Sequence, residues 1–267
     1  MQNKIKQPAL SVHDLTVSYD DKPVLWGINV DLPQGELIGI IGPNGGGKTT
    51  FLKSVMGLIP VDSGSVYFLN ETIDQVRKKI AYMPQRQSID WQFPILVREV
   101  VMMGRYPHIN LLKRGRELDR EKVTQALQLA GIEEFADRQI GRLSGGQQQR
   151  VFIARALAQE ATIYLMDEPF AGVDAATTKL ILDILKSLTK EGKTVIMIHH
   201  TLESIQAYCS YSVLINTYVH AAGPTQQVLI PKHLKSTYGS ELNVLHDVRD
   251  LLGYTQLPIL KENTKSQ

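Results

Sequence analysis

A glycine-rich run at residues 42–49 lies between an apolar segment and a segment with helical character. The run matches the Gly-x4-Gly-Lys-Thr pattern of loops that bind nucleotide phosphates. The apolar residues 37–41 before it predict a buried parallel strand, and residues 50–56 after it predict a helix. This order of strand, loop and helix predicts a nucleotide site. We call residues 42–49 the phosphate loop; it consists of Gly42, Pro43, Asn44, Gly45, Gly46, Gly47, Lys48 and Thr49.

The residue types of the phosphate loop suit the binding of an anion. Its glycines permit positive φ, so successive backbone N–H groups can turn inward at a helix N-terminus, where the dipole also favours negative charge. We expect the Lys48 ammonium group to reach the β- and γ-phosphates and the Thr49 hydroxyl to ligate Mg²⁺. The alternative is a glycine-rich turn that precedes Lys-Thr by chance.

Composition excludes several other classes of protein. The chain has 267 residues, of which 43% are hydrophobic, enough for one large core or for a main domain with a smaller insertion. Lys and Arg number 29 against 27 Asp and Glu, and a formal charge of +2 lacks the basic excess of a nucleic-acid binder. The single Cys209 fits a reducing cytoplasm. No apolar run approaches the ~20 residues that cross a bilayer, and residues 1–8 do not resemble a signal peptide.

Before the helical region, the pattern predicts short strands. Residues 10–19 and 24–32 predict a hairpin, and Tyr19 at the end of its first strand either stacks on a purine ring or packs on the hairpin. Residues 64–69 predict a further strand. Residues 80–85 predict a strand that stops at its proline and carries Gln85 to the carboxyl end of the sheet, where ligands of parallel sheets bind.

Helical periodicity replaces the strands between residues 95 and 142. Val123, Ala126, Leu127 and Ala130 fall on one helical face. The basic cluster 113–116 in this region is either a solvated loop or a segment near lipid headgroups. We expect residues 9–94 and 160–240 to form an α/β core, residues 95–159 an inserted helical subdomain, and residues 241–267 a C-terminal extension. The pattern predicts a helix over residues 242–252 of that extension.

A second glycine-containing helix start follows at residues 143–147, which we call the signature segment. It reads Leu143-Ser144-Gly145-Gly146-Gln147. Ser144 is an N-cap candidate, and the glycines in the first turn leave backbone N–H groups for a ligand. The segment predicts a second anion site, with a plain capped helix as the alternative.

Two further apolar strands end in polar side chains. Residues 163–168 end in Asp167 and Glu168, and strand alternation would send these carboxylates in different directions. We expect Asp167 to hold Mg²⁺ and Glu168 to act as general base on the attacking water. Asp174 opens the next helix. Residues 194–198 end at His199 and His200, either of which can meet the γ-phosphate.

Together these motifs resemble the ATP-binding subunit of an ATP-binding-cassette (ABC) transporter over about residues 10–238. The resemblance implies a P-loop NTPase fold, in which an ABC ATPase core carries an antiparallel β subdomain and an inserted α-helical subdomain. It implies ATP and Mg²⁺ as cofactors. It also implies a head-to-tail homodimer in which each phosphate loop faces the signature segment of the opposite copy.

The resemblance assigns a role to each motif. His200 is the better match to the switch histidine, but Thr201 replaces the usual Asp, so the choice between His199 and His200 stays open. Gly46 also replaces the more common Ala or Ser. The implied catalytic residues are Glu168, His200, Gln85 and Lys48; the implied nucleotide contacts are Tyr19, residues 42–49, Thr50, Ser144, Gly145, Gly146, Gln147 and Asp174; the implied Mg²⁺ ligands are Thr49, Gln85 and Asp167.

Residues 88–95 and 100–108 resemble the importers of manganese, zinc or iron. The resemblance implies two membrane permease subunits, an extracytoplasmic metal-binding protein, and a peripheral position on the cytoplasmic face of the membrane. Importers of siderophores, haem or cobalamin share much of residues 104–108, so they are an alternative. A soluble ABC ATPase that acts on DNA or ribosomes is a second alternative, although this chain lacks a second cassette or a basic insertion.

Overall fold

A computed structural model describes residues 7–20, 22–109 and 117–239, and the statements below concern these residues. The strands are β1 Pro8–Tyr19, β2 Lys22–Pro33, β3 Leu37–Ile41, β4 Ser63–Phe68, β5 Ile80–Met83, β6 Ile163–Asp167, β7 Thr194–Ile198, β8 Tyr211–Asn216 and β9 Tyr218–Pro224. The α-helices are α1 Lys48–Val55, α2 Ile73–Val76, α3 Val97–Met103, α4 Glu117–Leu129, α5 Gly145–Ala158, α6 Ala175–Lys190, α7 Leu202–Tyr208, α8 Thr225–Val228 and α9 Pro231–Tyr238. Short 3-10 helices span Arg77–Lys79, Arg86–Ser88, Tyr106–His108, Glu133–Phe135 and Ile140–Arg142.

The centre of the molecule is a six-stranded sheet with the order β5-β6-β7-β3-β8-β9. All neighbouring strands in it are parallel except β8 and β9, which form an antiparallel pair. The strands β3, β6 and β7 are buried at every residue. Their continuous apolar sequences follow from this position, because a parallel strand between two covered faces exposes neither side.

A second, three-stranded sheet has the order β2-β1-β4 and is antiparallel throughout. The hairpin predicted for residues 10–19 and 24–32 is therefore confirmed as β1 and β2. Alternate residues of β3 divide the core between the two faces of the central sheet. Ile38 and Ile40 pack on the side of α1 and the antiparallel sheet, whereas Leu37 and Ile41 pack on the side of the helices α3–α7.

The predicted helical subdomain, residues 95–159, contains α3, α4 and α5, which pack on one another. The predicted face of α4 is buried: Val123, Ala126 and Leu127, together with Ala130, lie in the core. The domain boundaries at residues 94, 159 and 240 remain predictions. The basic cluster 113–116, the predicted helix over 242–252 and the extension 241–267 lie outside the described residues. None of the helices in the described ranges combines the length and the apolar character needed to cross a bilayer.

Candidate active site

Four adjacent parallel strands end at the same edge of the central sheet and carry most of the predicted site residues there. Gln85 follows β5, Asp167 ends β6, His199 and His200 follow β7, and the phosphate loop follows β3. Carboxyl ends of parallel strands are where ligands of such sheets bind. The topology thus gathers residues that are more than 100 positions apart in the sequence.

The phosphate loop ends in a helix start that no side chain of the described residues caps. Gly47 is the N-cap of α1 with φ +90, and a side chain at this position would also meet Leu25 Cδ2 at 2.6 Å. The buried Lys48 ammonium group donates to the carbonyl oxygens of Gly42 at 2.9 Å and Pro43 at 2.7 Å. Burial lowers the pKa of Lys48, and the charges of Glu168 and Asp167 oppose that shift.

The turn between β8 and β9 supports the phosphate loop from behind. A Cβ atom on Gly42 would overlap the carbonyl oxygen of Ile215. The Thr217 N–H donates to the Gly46 carbonyl at 3.2 Å, and the Thr217 carbonyl accepts from the Trp26 N–H at 2.8 Å. These contacts fix the loop backbone against β8, and they require glycine at position 42.

The Asp167 carboxylate is buried next to the phosphate loop. Its residue is 0% exposed, and neither carboxylate oxygen has a hydrogen bond of ordinary geometry within the described residues. Burial raises the pKa of Asp167, whereas the nearby Thr49 hydroxyl and the charges of Lys53 and Lys48 oppose this rise. A buried anion with two unsatisfied oxygens is suited to a cation. The Asp167 and Thr49 side chains together offer oxygen ligands of the kind that Mg²⁺ prefers.

Glu168 lies just beyond β6, and its carboxylate contacts a histidine that follows β7. Its Oε1 is 2.8 Å from Nε2 of His200, and its side chain is 13% exposed. We expected strand alternation to send the Asp167 and Glu168 side chains in different directions. Alternation is the wrong explanation for the direction of Glu168. The strand ends at Asp167, and Glu168 has a left-handed backbone with φ +55, so a turn sets its direction.

The two histidines after β7 have different environments. His199 packs its ring edge-on against Phe170, with 5.3 Å between the ring centroids. Burial lowers the pKa of His199 to about 4, so it is neutral near pH 7. His200 is the one that contacts Glu168. The geometry therefore favours His200 over His199 as the histidine of the site.

Gln85 follows the outer strand β5 of the central sheet, and Tyr19 ends β1 of the antiparallel sheet. Gln85 is half-buried between β5 and the turn Arg86–Ser88, and its carbonyl oxygen accepts from the Ser88 hydroxyl at 2.7 Å. Tyr19 is 48% exposed at the end of β1. The stacking of Tyr19 on adenine stays a prediction.

The signature segment forms a capped helix start, as one of its two interpretations required. The Gln147 N–H donates to Ser144 Oγ at 3.4 Å, and the Ser144 N–H donates to Gln147 Oε1 at 2.8 Å. Gly145 faces the Arg86 guanidinium group, and Gly146 faces Thr177. Among the described residues, no hydrogen bond joins the signature segment to the phosphate loop of its own chain.

Asp174 caps the neighbouring helix. Its carboxylate accepts from the Thr177 N–H at 2.7 Å, and this bond lowers the pKa of Asp174. Asp174 is exposed and lies close in the fold to Gly146, since both contact Thr177. The structure therefore divides the predicted nucleotide contacts into one group at the phosphate loop and another around the signature segment.

Sequence reasoning missed several residues that organise this site. Phe170 packs on His199, Arg86 donates to Gln148 Oε1 at 3.0 Å, and Gln149 contacts the turn after β6. A signal was present for the glutamines: polar residues directly follow the signature segment, in a helix whose later residues are apolar except Arg150 and Arg155. Apart from the Ile140 carbonyl, 8 positions before Gln148, their partners are 19 to 62 positions away in sequence, so no local pattern identifies them.

The conserved pattern of the ABC transporter family matches residues 25–171 of this chain. The chain belongs to the ABC transporter family. The manganese transport system ATP-binding protein MntB of Bacillus subtilis (strain 168) is 48% identical over 238 residues, which cover 89% of this chain and 95% of that protein. The zinc transport system ATP-binding protein TroB of Treponema pallidum (strain Nichols) is 43% identical and covers 88% of each chain.

Solved structures of ABC proteins are similar to this chain throughout the fold. One is a metal-chelate type ABC transporter in an inward-facing conformation, with a TM-score of 0.76 and 29% identity over 86% of this chain and 89% of that chain. Another is an ATP-binding cassette in its ADP conformation, with a TM-score of 0.72 and 25% identity over 87% of this chain and 98% of that chain. The predicted ABC fold is confirmed, as is the prediction of an ATP-binding ATPase, since ATP hydrolysis is general to this family.

Proposed function

We propose that the chain energises a membrane importer of divalent metal ions, with manganese, zinc and iron as the candidate substrates. The observation that carries the proposal is the set of Lys48, Asp167, Glu168 and His200 at one sheet edge, in a chain 48% identical to the ATP-binding protein of a manganese transport system. Such a set suits ATP hydrolysis, and the sequence relatives connect that hydrolysis to metal transport.

The phosphate loop, Thr50 and Tyr19 bind ATP in this proposal, with Tyr19 stacked on adenine. Lys48 neutralises the β- and γ-phosphates, replacing its present bonds to the Gly42 and Pro43 carbonyls. Thr49, Asp167 and Gln85 would hold Mg²⁺, which offsets phosphate charge when bound. The two unsatisfied oxygens of Asp167 support this assignment.

Glu168 acts as the general base. Its carboxylate takes a proton from the attacking water, and the nearby His200 contacts the γ-phosphate and orients the reacting groups. The 2.8 Å contact between Glu168 and His200 supports a shared role. A positioned base contributes typically ~10²–10⁴-fold to a rate, so Glu168→Gln should reduce hydrolysis by this factor and preserve ATP binding.

Two copies of the chain meet head to tail in the working state. Each copy supplies Ser144–Gln147 and Asp174 to the ATP held by the other copy, with Gly145 and Gly146 approaching its phosphates. ATP binds the closed pair more tightly than the open pair, and this difference drives closure. The separation of the signature segment from the phosphate loop within one chain supports this arrangement.

Two permease subunits and an extracytoplasmic metal-binding protein complete the proposed transporter, with this chain on the cytoplasmic face of the membrane as a peripheral subunit. A groove of roughly 630 Å³ in the helical region supports permease docking. It is lined in part by the exposed Phe93, Met103 and Tyr106. These residues belong to the segments that resemble metal importers.

Uptake of labelled ions tests the substrate class. Cells that carry the wild-type chain, Glu168→Gln or Lys48→Ala receive labelled manganese, zinc or iron, or a ferric siderophore. We expect the wild type alone to accumulate one of the free ions. Accumulation of the chelate instead of any free ion would replace our proposal with the alternative of chelate import, which the 29% identical metal-chelate transporter represents.

A further inference from the structure

A buried glutamine on α5 contacts the main chain of the proposed base. Gln149 is 2% exposed, and its Nε2 donates to the carbonyl oxygens of Glu168 at 3.2 Å and Pro169 at 2.8 Å. Burial of a polar side chain is costly unless its hydrogen bonds are made. These two bonds join the helix that starts in the signature segment to the turn that carries Glu168.

The turn that Gln149 contacts has an unfavourable backbone. Glu168 has φ +55, a left-handed conformation that a residue with a Cβ atom adopts at a cost. The Glu168 carbonyl also accepts from the Ala171 N–H at 3.1 Å, so two donors hold it. Backbone of this kind persists where surrounding contacts maintain it, and it is concentrated at functional sites.

The backbone conformation at Glu168 determines where its carboxylate lies. The carboxylate is 2.8 Å from His200 in this structure, and a rotation of the turn would move it away. A displacement of ~1 Å in a reacting group can lower a rate by ~10²-fold. A group that holds this turn therefore affects the position of the Glu168 carboxylate, although the bonds of the Gln149 amide are to main-chain carbonyls.

We propose that Gln149 is a positioning residue for ATP hydrolysis. Its amide holds the turn Glu168–Pro169 so that the carboxylate meets the attacking water, and it makes this position depend on the placement of α5. The inference rests on the proposed role of Glu168 as the base. It adds that the helical subdomain controls the base of its own chain, in addition to presenting its signature segment to the other copy.

The chain offers a matched control at the other end of α5. Gln159 Nε2 donates to the Ile80 carbonyl at 2.7 Å, so it also joins α5 to a strand of the core. Ile80 begins β5, whereas Glu168 follows the end of β6. Because β5 and β6 are parallel, the two glutamines contact opposite edges of the sheet.

The test measures ATP hydrolysis and thermal unfolding of the full-length chain. Gln149→Leu should lower kcat by about 10- to 100-fold and leave KM for ATP within about threefold. Gln149→Glu, which cannot donate through its carboxylate, should show the same loss and serves if the leucine variant does not fold. Gln159→Leu should lower Tm about as much as Gln149→Leu does, but its kcat should stay within about threefold of the wild-type value.

Combination with Glu168→Gln separates positioning from general damage. If Gln149 acts through Glu168, Gln149→Leu should lower the residual rate of Glu168→Gln by less than about twofold, because residues that act as one unit are not additive. An equal loss in both backgrounds, or an unchanged kcat in Gln149→Leu and Gln149→Glu, would overturn the inference. Wild-type hydrolysis by Glu168→Gln alone would overturn the role of the base instead.

Discussion

The helices α1 and α5 both begin in a glycine-rich segment, but their first turns are built differently. Gly47 precedes α1 with φ +90 and has no side chain to cap it. Ser144 precedes α5 and exchanges hydrogen bonds with Gln147, so protein groups close that helix start. The start of α1 offers its N–H groups to an anion, whereas part of the start of α5 is already satisfied.

The side chains that surround the two helix starts also differ. Asp167 and Glu168 lie close enough to Lys48 for their charges to oppose the fall of its pKa. The signature segment instead lies beside Arg86 and Thr177. Among the described residues, the charged groups of Lys48, Asp167 and Glu168 therefore gather at the start of α1, whereas the start of α5 is closed by its own cap. This supports our proposal that a second copy completes each site.

Mixing two inactive variants gives the largest expected effect. Ser144→Arg and Lys48→Ala should each reduce hydrolysis by ~10²-fold or more as homodimers, because either change damages both sites of a head-to-tail pair. A mixed pair retains one site with an intact phosphate loop and an intact signature segment. We expect an equal mixture to regain about a quarter of the wild-type rate, since half of the pairs are mixed and one site in each works.

Steady-state ATP hydrolysis as a function of the mixing ratio measures this recovery. Ser144→Arg mixed with Glu168→Gln is a further case, since that pair also leaves one complete site. An equal mixture that is no more active than either variant alone would contradict the assignment of the phosphate loop and the signature segment to different copies. It would mean that both segments act on one nucleotide within a single chain.

Affinity for ATP should distinguish the two helix starts directly. Lys48→Ala should weaken ATP binding by about 30- to 150-fold, because a charge-assisted contact contributes about 2–3 kcal/mol. Ser144→Arg should leave the affinity of the separate chain within about twofold. Titration with a fluorescent ATP analogue at a protein concentration that keeps the copies apart measures both, and equal losses would mean that the signature segment binds ATP in its own chain.

Protonation of His199 should make the folded chain less stable in acid. This histidine follows β7 at the same sheet edge as the phosphate loop. Burial lowers its pKa to about 4 from an ordinary value of 6.5, so the unfolded chain binds a proton in this interval while the folded chain does not. The stability contributed by His199 is therefore present above pH 6.5 and is lost as the pH falls towards 4, by about 1–3 kcal/mol.

Thermal unfolding from pH 7 to pH 4 measures this dependence against His199→Gln. The variant should lose less of its Tm over the interval, because glutamine has no proton to gain. The same slope in both chains would show that acid acts through other groups, and that the burial of His199 against Phe170 has no part in it.

Removal of the cap at α5 should give the smallest effect. Ser144→Ala deletes the acceptor for the Gln147 N–H, and loss of an N-cap typically costs ~0.5–1 kcal/mol. For a chain of this size that corresponds to a fall of about 1–4 °C in Tm. Calorimetry measures the change, and an unaltered Tm would mean that the 3.4 Å bond contributes nothing.

Much of this fold and site could be predicted because it depends on local patterns. The phosphate loop is dictated by glycines and by one lysine, and the buried strands by continuous apolar runs. Because the carboxyl ends of parallel strands lie at one edge of a sheet, polar residues at those ends are expected together there. Asp167 and Gln85 are found at that edge. These inferences need only the backbone geometry that a short sequence specifies.

The remainder depends on contacts between distant segments. His199 packs against Phe170, whereas His200 contacts Glu168, and no local pattern distinguishes these two neighbouring histidines. The direction of Glu168 comes from a left-handed turn that no alternation rule predicts. The placement of Arg86 between Gly145 and Gly172 joins three segments that are far apart in sequence. Packing sets these details, and periodicity carries no information about them.

The turn at Thr217 lies outside every motif, yet it contacts the phosphate loop on one side and Trp26 of β2 on the other. Its backbone donates to the loop at Gly46 and accepts from the strand, and the neighbouring Ile215 carbonyl lies directly against Gly42. A residue inserted into this turn would therefore misshape the triphosphate cradle without removing any ligand-binding group. Changes in this hairpin can therefore alter ATP binding while every recognisable motif remains intact.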